Sequence, residues 1–397
     1  MEVSPVRRNT VFSQVMQLIS GNGFKRSVER YSGDRYTKTF SCWQQLIVLL
    51  YSQARGLQSL RDITISLRSQ RRKWYHLGLE SVSRSTLADA NSKRSADIYK
   101  EVFYEFLSKC QSLAPGHKFR FKNPLYTMDS TLITLCLSAF DWASYRKRKG
   151  ALKIHTLLDH NGCLPSFITV TEGKCHDVNV VKDKEYGFPQ LQPDSIITVD
   201  RGYYDFNWFY SLNLKRVSFI TRAKKNLKYK VTGQHQVPKN KGVTSDQTIR
   251  LIGHYQKQNY PDNLRLITFY DKKKKEEIVF ITNNFKLAAA TIAELYKHRW
   301  QIELFFKWIK QNLKIKTFLG TSENAVMTQI WAALIYYLLL TFIKFQTRYA
   351  YSLHELTRVI AETLMEHIDI IELLRMKYEK LKIPKPLQPQ IDLLLIF

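Results

Sequence analysis

Residues 125–135 read Leu-Tyr-Thr-Met-Asp-Ser-Thr-Leu-Ile-Thr-Leu, an apolar and β-branched run with one carboxylate, Asp129, set inside it. Such a run favours a strand. A carboxylate within it is costly to bury unless a cation or hydrogen bonds compensate it. Taken alone, a strand aspartate is more often a hydrogen-bonded structural residue than a catalyst, so the decision rests on the elements that accompany it.

The chain beyond residue 135 holds more strand. Lys153–Leu158 and Leu164–Thr171 continue the pattern, and Asn161-Gly162 between them is a hairpin signal. A short helical stretch after Asp177 leads to Ser195-Ile-Ile-Thr-Val-Asp200, an apolar strand that ends on an aspartate. An aromatic helix from Phe206 and a strand over Val217–Thr221 come next. Three strands, helix, strand, helix, strand is the order expected of an α/β domain of the RNase H-like type before its final helix. That helix is delayed by residues 222–285, where apolar alternation over Leu264–Tyr270 and Ile278–Thr282 predicts a β-rich insertion and not a disordered linker.

The delayed helix is expected from near Ala288 to about Leu313. On it Tyr296, Arg299, Glu303 and Lys310 are spaced so that they fall within about 60° around the axis and about 21 Å along it. Charges on a helix usually form a solvated face. Here the remaining positions, among them Leu295, Trp300, Ile302, Phe305, Phe306 and Ile309, are so apolar that the narrow polar strip is expected to face a site. Three carboxylates, Asp129, Asp200 and Glu303, would repel on convergence, and two divalent cations would relieve that repulsion while activating attacking and leaving oxygens in phosphodiester displacement. Oxygen-only ligation selects Mg2+ or Mn2+ over zinc. His155 and His176 are read as structural and stay outside this set.

Charge points to the partner. Sixty-one Lys and Arg against 34 Asp and Glu leave a net charge of +27, which calls for a polyanion. Residues 1–124 hold 21 basic and 9 acidic residues and residues 221–290 hold 15 and 5, so two distant segments carry most of the excess. That distribution suits a long DNA track better than a membrane surface, which a single basic amphipathic helix would serve. The Lys272–Lys275 run reads equally as a DNA contact or a solvated turn. Residues 1–120 read as short helices (Val11–Ile19, Trp43–Tyr51, Leu60–Leu67, Ala96–Leu107), and Ser83–Asn91 offers Ser and Thr caps in a weak helix-turn-helix setting. Asn324–Ile343 reads as a buried core helix and not a membrane span. One or two amphipathic helices are expected from there to residue 380, with Pro384 and Pro386 loosening the tail. Five scattered cysteines without CxxC spacing, and no signal-like apolar run near Met1, predict a reduced, cytoplasmic protein.

Tyr296-x2-Arg299-x3-Glu303-x6-Lys310 resembles the YREK signature of bacterial insertion-sequence transposases of the insertion-sequence-four family. Thr127-Met-Asp129-Ser-Thr is similar to that family's first aspartate block, Val199-Asp-Arg-Gly-Tyr-Tyr-Asp205 to its second, and Ser83–Asn91 to its amino-terminal domain. Lys153-x-His155 through Asp159-x-x-Gly162-x-Leu-Pro165, then Gly173-x-x-His176-Asp177, resembles the stretch joining the two. The resemblance implies a DDE triad of Asp129, Asp200 and Glu303 holding two Mg2+ or Mn2+ ions, with Tyr296, Arg299 and Lys310 on phosphates of the transposon end. It implies three parts: a helical DNA-binding domain over 1–120, an RNase H-like catalytic domain over 121–345 with the insertion at about 222–285, and a helical tail over 346–397 for dimerisation. Cut-and-paste transposition by a homodimer on paired inverted repeats, in a bacterial cytoplasm at the nucleoid, is the expected function. A stand-alone metal-dependent nuclease and a catalytically inactive DNA-binding relative are the competing expectations.

Overall fold

The computed structural model describes residues 9–74, 77–79, 81–135, 140, 142–146, 149–237, 241–312 and 318–375. Cys136, the expected helix end near Leu313 and the tail with Pro384 and Pro386 lie outside them.

Six helices come first: α1 (Val11–Gln17), α2 (Gly21–Arg30), α3 (Cys42–Arg55), α4 (Leu60–Ser69), α5 (Arg84–Lys93) and α6 (Asp97–Leu113). Polar side chains start most of them, as helix amides without partners require. Thr10, Ser20, Ser41, Ser59 and Ser83 each accept from a backbone N–H in the first turn. Sequence pattern predicts α1, α3, α4, α5 and α6; α2 is additional.

The strands are β1 (Leu125–Leu135), β2 (Ser144–Arg146), β3 (Lys149–Asp159) and β4 (Leu164–Glu172). After α7 (Asp177–Lys182) come β5 (Ile196–Val199), α8 (Phe206–Leu214) and β6 (Ser218–Arg222). The insertion adds β7 (Tyr229–Gln234), β8 (Val243–Leu251), α9 (His254–Asn259), β9 (Leu264–Asp271) and β10 (Glu276–Thr282). Among the described residues all ten strands form one mixed sheet in the order β2-β3-β1-β5-β6-β10-β9-β8-β7, with β4 also pairing β3. β3 runs antiparallel to β1 and β4, while β5 is parallel to β1 and β6. The insertion strands are antiparallel throughout and join through β10 to β6.

The β3–β4 turn is shifted one residue from expectation. Gly162 (φ +68°) and Cys163 (φ +55°) are the two left-handed residues, in place of Asn161 and Gly162. A Cβ on Gly162 would come within 2.7 Å of the Phe345 ring, so packing as well as φ demands glycine there.

Alternation along β1 separates the layers. Leu125 packs under the helix that follows β10, Ile133 and Leu135 pack into the helical body, and Met128 faces α8 on the other side. The last helices are α10 (Ala289–His298), α11 (Trp300–Asn312), α12 (Glu323–Thr347), α13 (Leu353–Thr363) and α14 (Ile370–Arg375). The single helix expected from residue 288 is thus two. Arg299 stands between them in the α region (φ −50°, ψ −29°), with i→i−3 hydrogen bonds from Arg299 N to Tyr296 O and from Ile302 N to Arg299 O. The chain tightens for one turn there and continues as helix.

α12 has the length and apolarity to cross a membrane, yet 89% of its most apolar window is buried in the protein. It is the centre of a helical core that also takes α1, α3, α6 and α13. Asn324 fixes its start, donating to the carbonyls of Asn91 (2.9 Å) and Arg94 (2.6 Å) and accepting from Ala96 N–H (3.0 Å). Backbone bonds from Val11 to Glu366 (2.9 Å) and from Phe12 to Leu364 (2.8 Å) tie the two ends of the described chain together. The amino-terminal helices and the last helices therefore share one core.

Candidate active site

Asp129 and Asp200 sit side by side because β1 and β5 are parallel neighbours. Their last paired residues are Met128 and Val199, and each aspartate is the next residue along the chain. Adjacent strands are about 4.8 Å apart, so the two carboxylates project from neighbouring positions on one face. Asp200 Oδ1 accepts from Gly202 N–H at 2.7 Å, and Asp129 Oδ1 from Ser130 N–H at 2.8 Å.

Burial, then the Asp200 charge and more weakly Glu303, push the Asp129 carboxyl up to about 7, against the pull of Arg299 and the Ser130 amide. A group held so far from its ordinary range is under-compensated as a carboxylate, because burial and the neighbouring carboxylates outweigh the cation beside it.

Arg299 is that cation. Its Nη1 donates to Asp129 Oδ2 at 2.6 Å and its Nη2 to Glu303 Oε1 at 2.5 Å, so one guanidinium spans strand and helix. Its Nε is buried with no partner. Tyr296, one turn earlier, is buried against Phe280 (5.0 Å between ring centroids), with the guanidinium carbons of Arg222 and Arg299 lying 5.4 and 5.8 Å from its ring centre. Burial raises its hydroxyl pKa, against the two arginines. Lys310 is half-buried three turns along α11. The structure therefore brings Asp129, Asp200, Arg299 and Glu303 together, sets Tyr296 beside Arg299, and leaves Lys310 farther along the helix.

Among the described residues no three carboxylate, imidazole or thiol groups are close enough to hold a metal ion in this arrangement. The donor set nevertheless fits a hard divalent cation: the ligands are all oxygen, two carboxylates are adjacent, and the third is joined to them only through the Arg299 cation.

Beside Asp200 a cavity of about 320 Å3 is lined by Arg201, Arg222, Lys224 and Lys225, with Glu276 and Glu277 on its far strand. None of these cations stands out in the sequence. Arg201 alone lies in a recognisable block, next to Asp200; Arg222, Lys224 and Lys225 join it because β6 pairs in parallel with β5, and β10 pairing with β6 brings the two glutamates. The Lys272–Lys275 run forms the exposed turn between β9 and β10. His155 is buried beside Asp177 and Tyr203, and His176 is exposed. Asp177, Lys153 and Tyr203 are polar residues near the carboxylates to which sequence pattern assigns no role; their signal is the His176-Asp177 and Lys153-x-His155 spacing and, for Tyr203, the Val199–Asp205 block. In the amino-terminal region Ser83, Arg84, Ser85 and Thr86 are all exposed at the start of α5, while Leu87, Ala90 and Asn91 anchor it.

The Transposase DDE domain family matches residues 120–339, and a domain of unknown function (DUF4372) matches residues 7–80. The chain is 30% identical over 315 residues to "Putative transposase y4zB" of Sinorhizobium fredii, covering 78% of this chain and 83% of that protein. It is 30% identical over 273 residues to "Probable transposase for insertion sequence element IS5377" of Geobacillus stearothermophilus (68% and 70% covered). It is 23% identical over 303 residues to "Putative transposase for insertion sequence element IS4SA" of a Synechocystis species (75% and 82% covered).

Proposed function

The chain belongs to the DDE transposases of insertion sequences, and from that premise we propose that it cuts and joins DNA at the inverted repeats bounding its own element. The observation that carries this reading is that Asp129 and Asp200 each directly follow the last paired residues, Met128 and Val199, of the parallel β1 and β5, with Glu303 linked to Asp129 through Arg299. The order β4-β3-β1-β5-β6, with only β3 reversed, supports an RNase H-like core, and β7–β10 are its insertion.

Asp129, Asp200 and Glu303 would hold two Mg2+ or Mn2+ ions, which supply activation of the attacking oxygen and stabilisation of the leaving one. The protein's own residues do the positioning. Arg201, Arg222, Lys224 and Lys225 receive backbone phosphates beside Asp200. Arg299, released from the carboxylates, and Lys310 hold the transposon end along α11, with Tyr296 backing Arg299. The exposed first turn of α5 selects the inverted repeat. Two copies act on paired ends, in the cytoplasm of a bacterial cell at its nucleoid.

The experiment is strand cleavage of an inverted-repeat duplex by the full-length protein, beside a gel-shift assay. Asp129→Asn should keep end binding and lose Mg2+-dependent cleavage and joining, because an amide oxygen is a poorer ligand than a carboxylate. Cleavage by the variant at the wild-type rate rejects the site. Nicking without joining of paired ends would make the protein a nuclease, and wild-type binding without any nicking would make it an inactive DNA-binding relative.

A further inference from the structure

Behind the carboxylates, on the opposite face of the sheet from Arg299 and Glu303, lies a charged cluster that the triad leaves unexplained. Ser130 follows Asp129 and so points to the other face of β1. There its Oγ donates to Asp177 Oδ1 at 2.6 Å, while its backbone N–H is the group that donates to Asp129. Lys153 Nζ is 3.3 Å from the same Asp177 oxygen and donates to Cys175 O at 2.7 Å. His155 Nδ1 is 3.6 Å from it, and His155 Nε2 lies 3.0 Å from Thr171 Oγ1. One carboxylate oxygen thus gathers a hydroxyl, an ammonium and an imidazole.

The second oxygen faces the turn after β5. A Cβ on Gly202 would come within 2.8 Å of Asp177 Oδ2 and 3.0 Å of Asp200 Oδ1, so the two carboxylates flank a residue that has room for no side chain. Tyr203, wholly buried next to it, has its hydroxyl 3.4 Å from His155 Nδ1. Asp177 therefore touches the segment carrying Asp129 with one oxygen and lies against the turn holding Asp200 with the other. Lys153 offsets its charge, and with Oδ1 already engaged by donors it is built as a strut.

We propose that Asp177 is a positioning residue that clamps the Asp129–Ser130 segment of β1 to the turn at residues 201–203, and thereby sets the spacing of the two strand carboxylates for a divalent cation. The proposal rests on the transposase reading of the site. Partners that orient metal ligands without touching the metal typically affect affinity or activity about 10–100-fold when removed.

The test is Mn2+ binding to the full-length protein without DNA, followed by the electron paramagnetic resonance of free Mn2+ at 25 °C, with thermal unfolding measured alongside. Asp177→Ala should raise the Mn2+ dissociation constant about tenfold or more. Asp177→Asn, which keeps an oxygen for Ser130 but loses the charge facing Lys153, should raise it less. A purely structural ion pair would lower the unfolding midpoint and leave Mn2+ affinity at 25 °C alone, and wild-type affinity in Asp177→Ala overturns the proposal. Should that variant fail to fold, Ser130→Ala removes only the hydroxyl link and keeps the amide on Asp129; unchanged Mn2+ affinity there is equally fatal. Asp129→Asn is the control. If the wild type binds no Mn2+, or Asp129→Asn binds it as well as the wild type, the metal-site reading falls and this proposal with it. If Asp129→Asn loses Mn2+ while the Asp177 and Ser130 variants keep it, only the positioning role is overturned.

Discussion

Arg299 Nη1 donates to Asp129 Oδ2 at 2.6 Å, closing a contact between residues 170 positions apart, and the other end of the same guanidinium holds Glu303. One positive charge thus stands among carboxylates assigned to cations. Removing it should matter most when no metal is present. In EDTA at pH 8, Arg299→Ala should lose about 1–3 kcal/mol of stability, below the 3–5 typical of breaking a fully buried pair, because Asp129 can take up a proton instead. Saturating Mn2+ should restore most of the loss, since a ligand that binds only the folded state stabilises it. Urea unfolding with and without Mn2+ checks this, and an equal loss in both conditions would contradict it.

Much of this site was legible in the sequence, for identifiable reasons. Asp129 and Asp200 stood out because apolar strands lead into them, and the Asn324–Ile343 stretch because Asn324, Thr328, Gln329 and Thr341 interrupt it and leave continuous apolarity only from Ile330, which suits a buried helix better than a membrane span. Other features left no local trace. The interruption at Arg299 arises beside an ion pair to a residue 170 positions away, which helical periodicity cannot encode. β7 escaped because it is almost wholly exposed and so lacks apolar alternation. α2 was hidden by Gly21 and Gly23, which lower helix propensity although Phe24 and Val28 bury its inner face. The Asp177 cluster is assembled by β1–β3 pairing and the turn after β5, and each of its residues taken singly looks like an ordinary strand or cap residue.

Arg265, held in an ion pair inside the insertion, fastens that insertion to the segment leading into the helix that bears Tyr296. Arg265 Nε and Nη2 donate to the two oxygens of Asp246 at 2.9 and 2.7 Å, and its Nη1 donates to the carbonyls of Asn284 and Leu287 just before α10. Arg265→Ala should cost about 3–5 kcal/mol, because it strands the Asp246 charge. The double variant Arg265→Met/Asp246→Leu should recover most of that loss. Equilibrium denaturation of both variants decides, and a double variant no more stable than Arg265→Ala would contradict the account.

His160 should make the protein sensitive to mild acid. Its Nε2 lies 2.7 Å from Thr127 Oγ1, and burial, then the neighbouring His298 and His117, hold its pKa down at about 3 against an ordinary 6.5. A base depressed in the folded state is protonated more readily when unfolded. Its stabilising contribution is therefore complete above about pH 6.5 and is lost as pH falls toward 3. At pH 5 the loss is about 1.5 pH units' worth, or about 2 kcal/mol. His160→Gln should remove that component, so the stability difference between wild type and variant should shift by about 2 kcal/mol between pH 7 and pH 5. A constant difference across that range would show that His160 does not titrate as described.

The last prediction separates residues that meet phosphates from those that meet the cation. Arg84 and Lys93 are exposed on α5, in a segment whose excess positive charge precedes the sheet, and Lys310 lies on α11 beyond Glu303. If each contacts one phosphate of the transposon end, each alanine variant should weaken binding and flatten the dependence of log K on log salt by roughly one unit. Arg84→Ala should also reduce the preference for the inverted repeat over random DNA, because the first turn of α5 presents Ser85 and Thr86 beside it. Lys310→Ala should lower affinity for both DNAs alike and slow cleavage. Glu303→Gln should behave differently from all three. It removes a proposed metal ligand and also one of the two carboxylates that hold Arg299, so cleavage should stop while the salt slope measured in EDTA stays at the wild-type value or steepens as Arg299 is freed for phosphate. Fluorescence anisotropy over a salt series on one inverted-repeat duplex, with cleavage assayed in parallel, distinguishes these patterns. A Glu303→Gln slope flattened like that of Lys310→Ala would place Glu303 in DNA binding and remove it from the metal site.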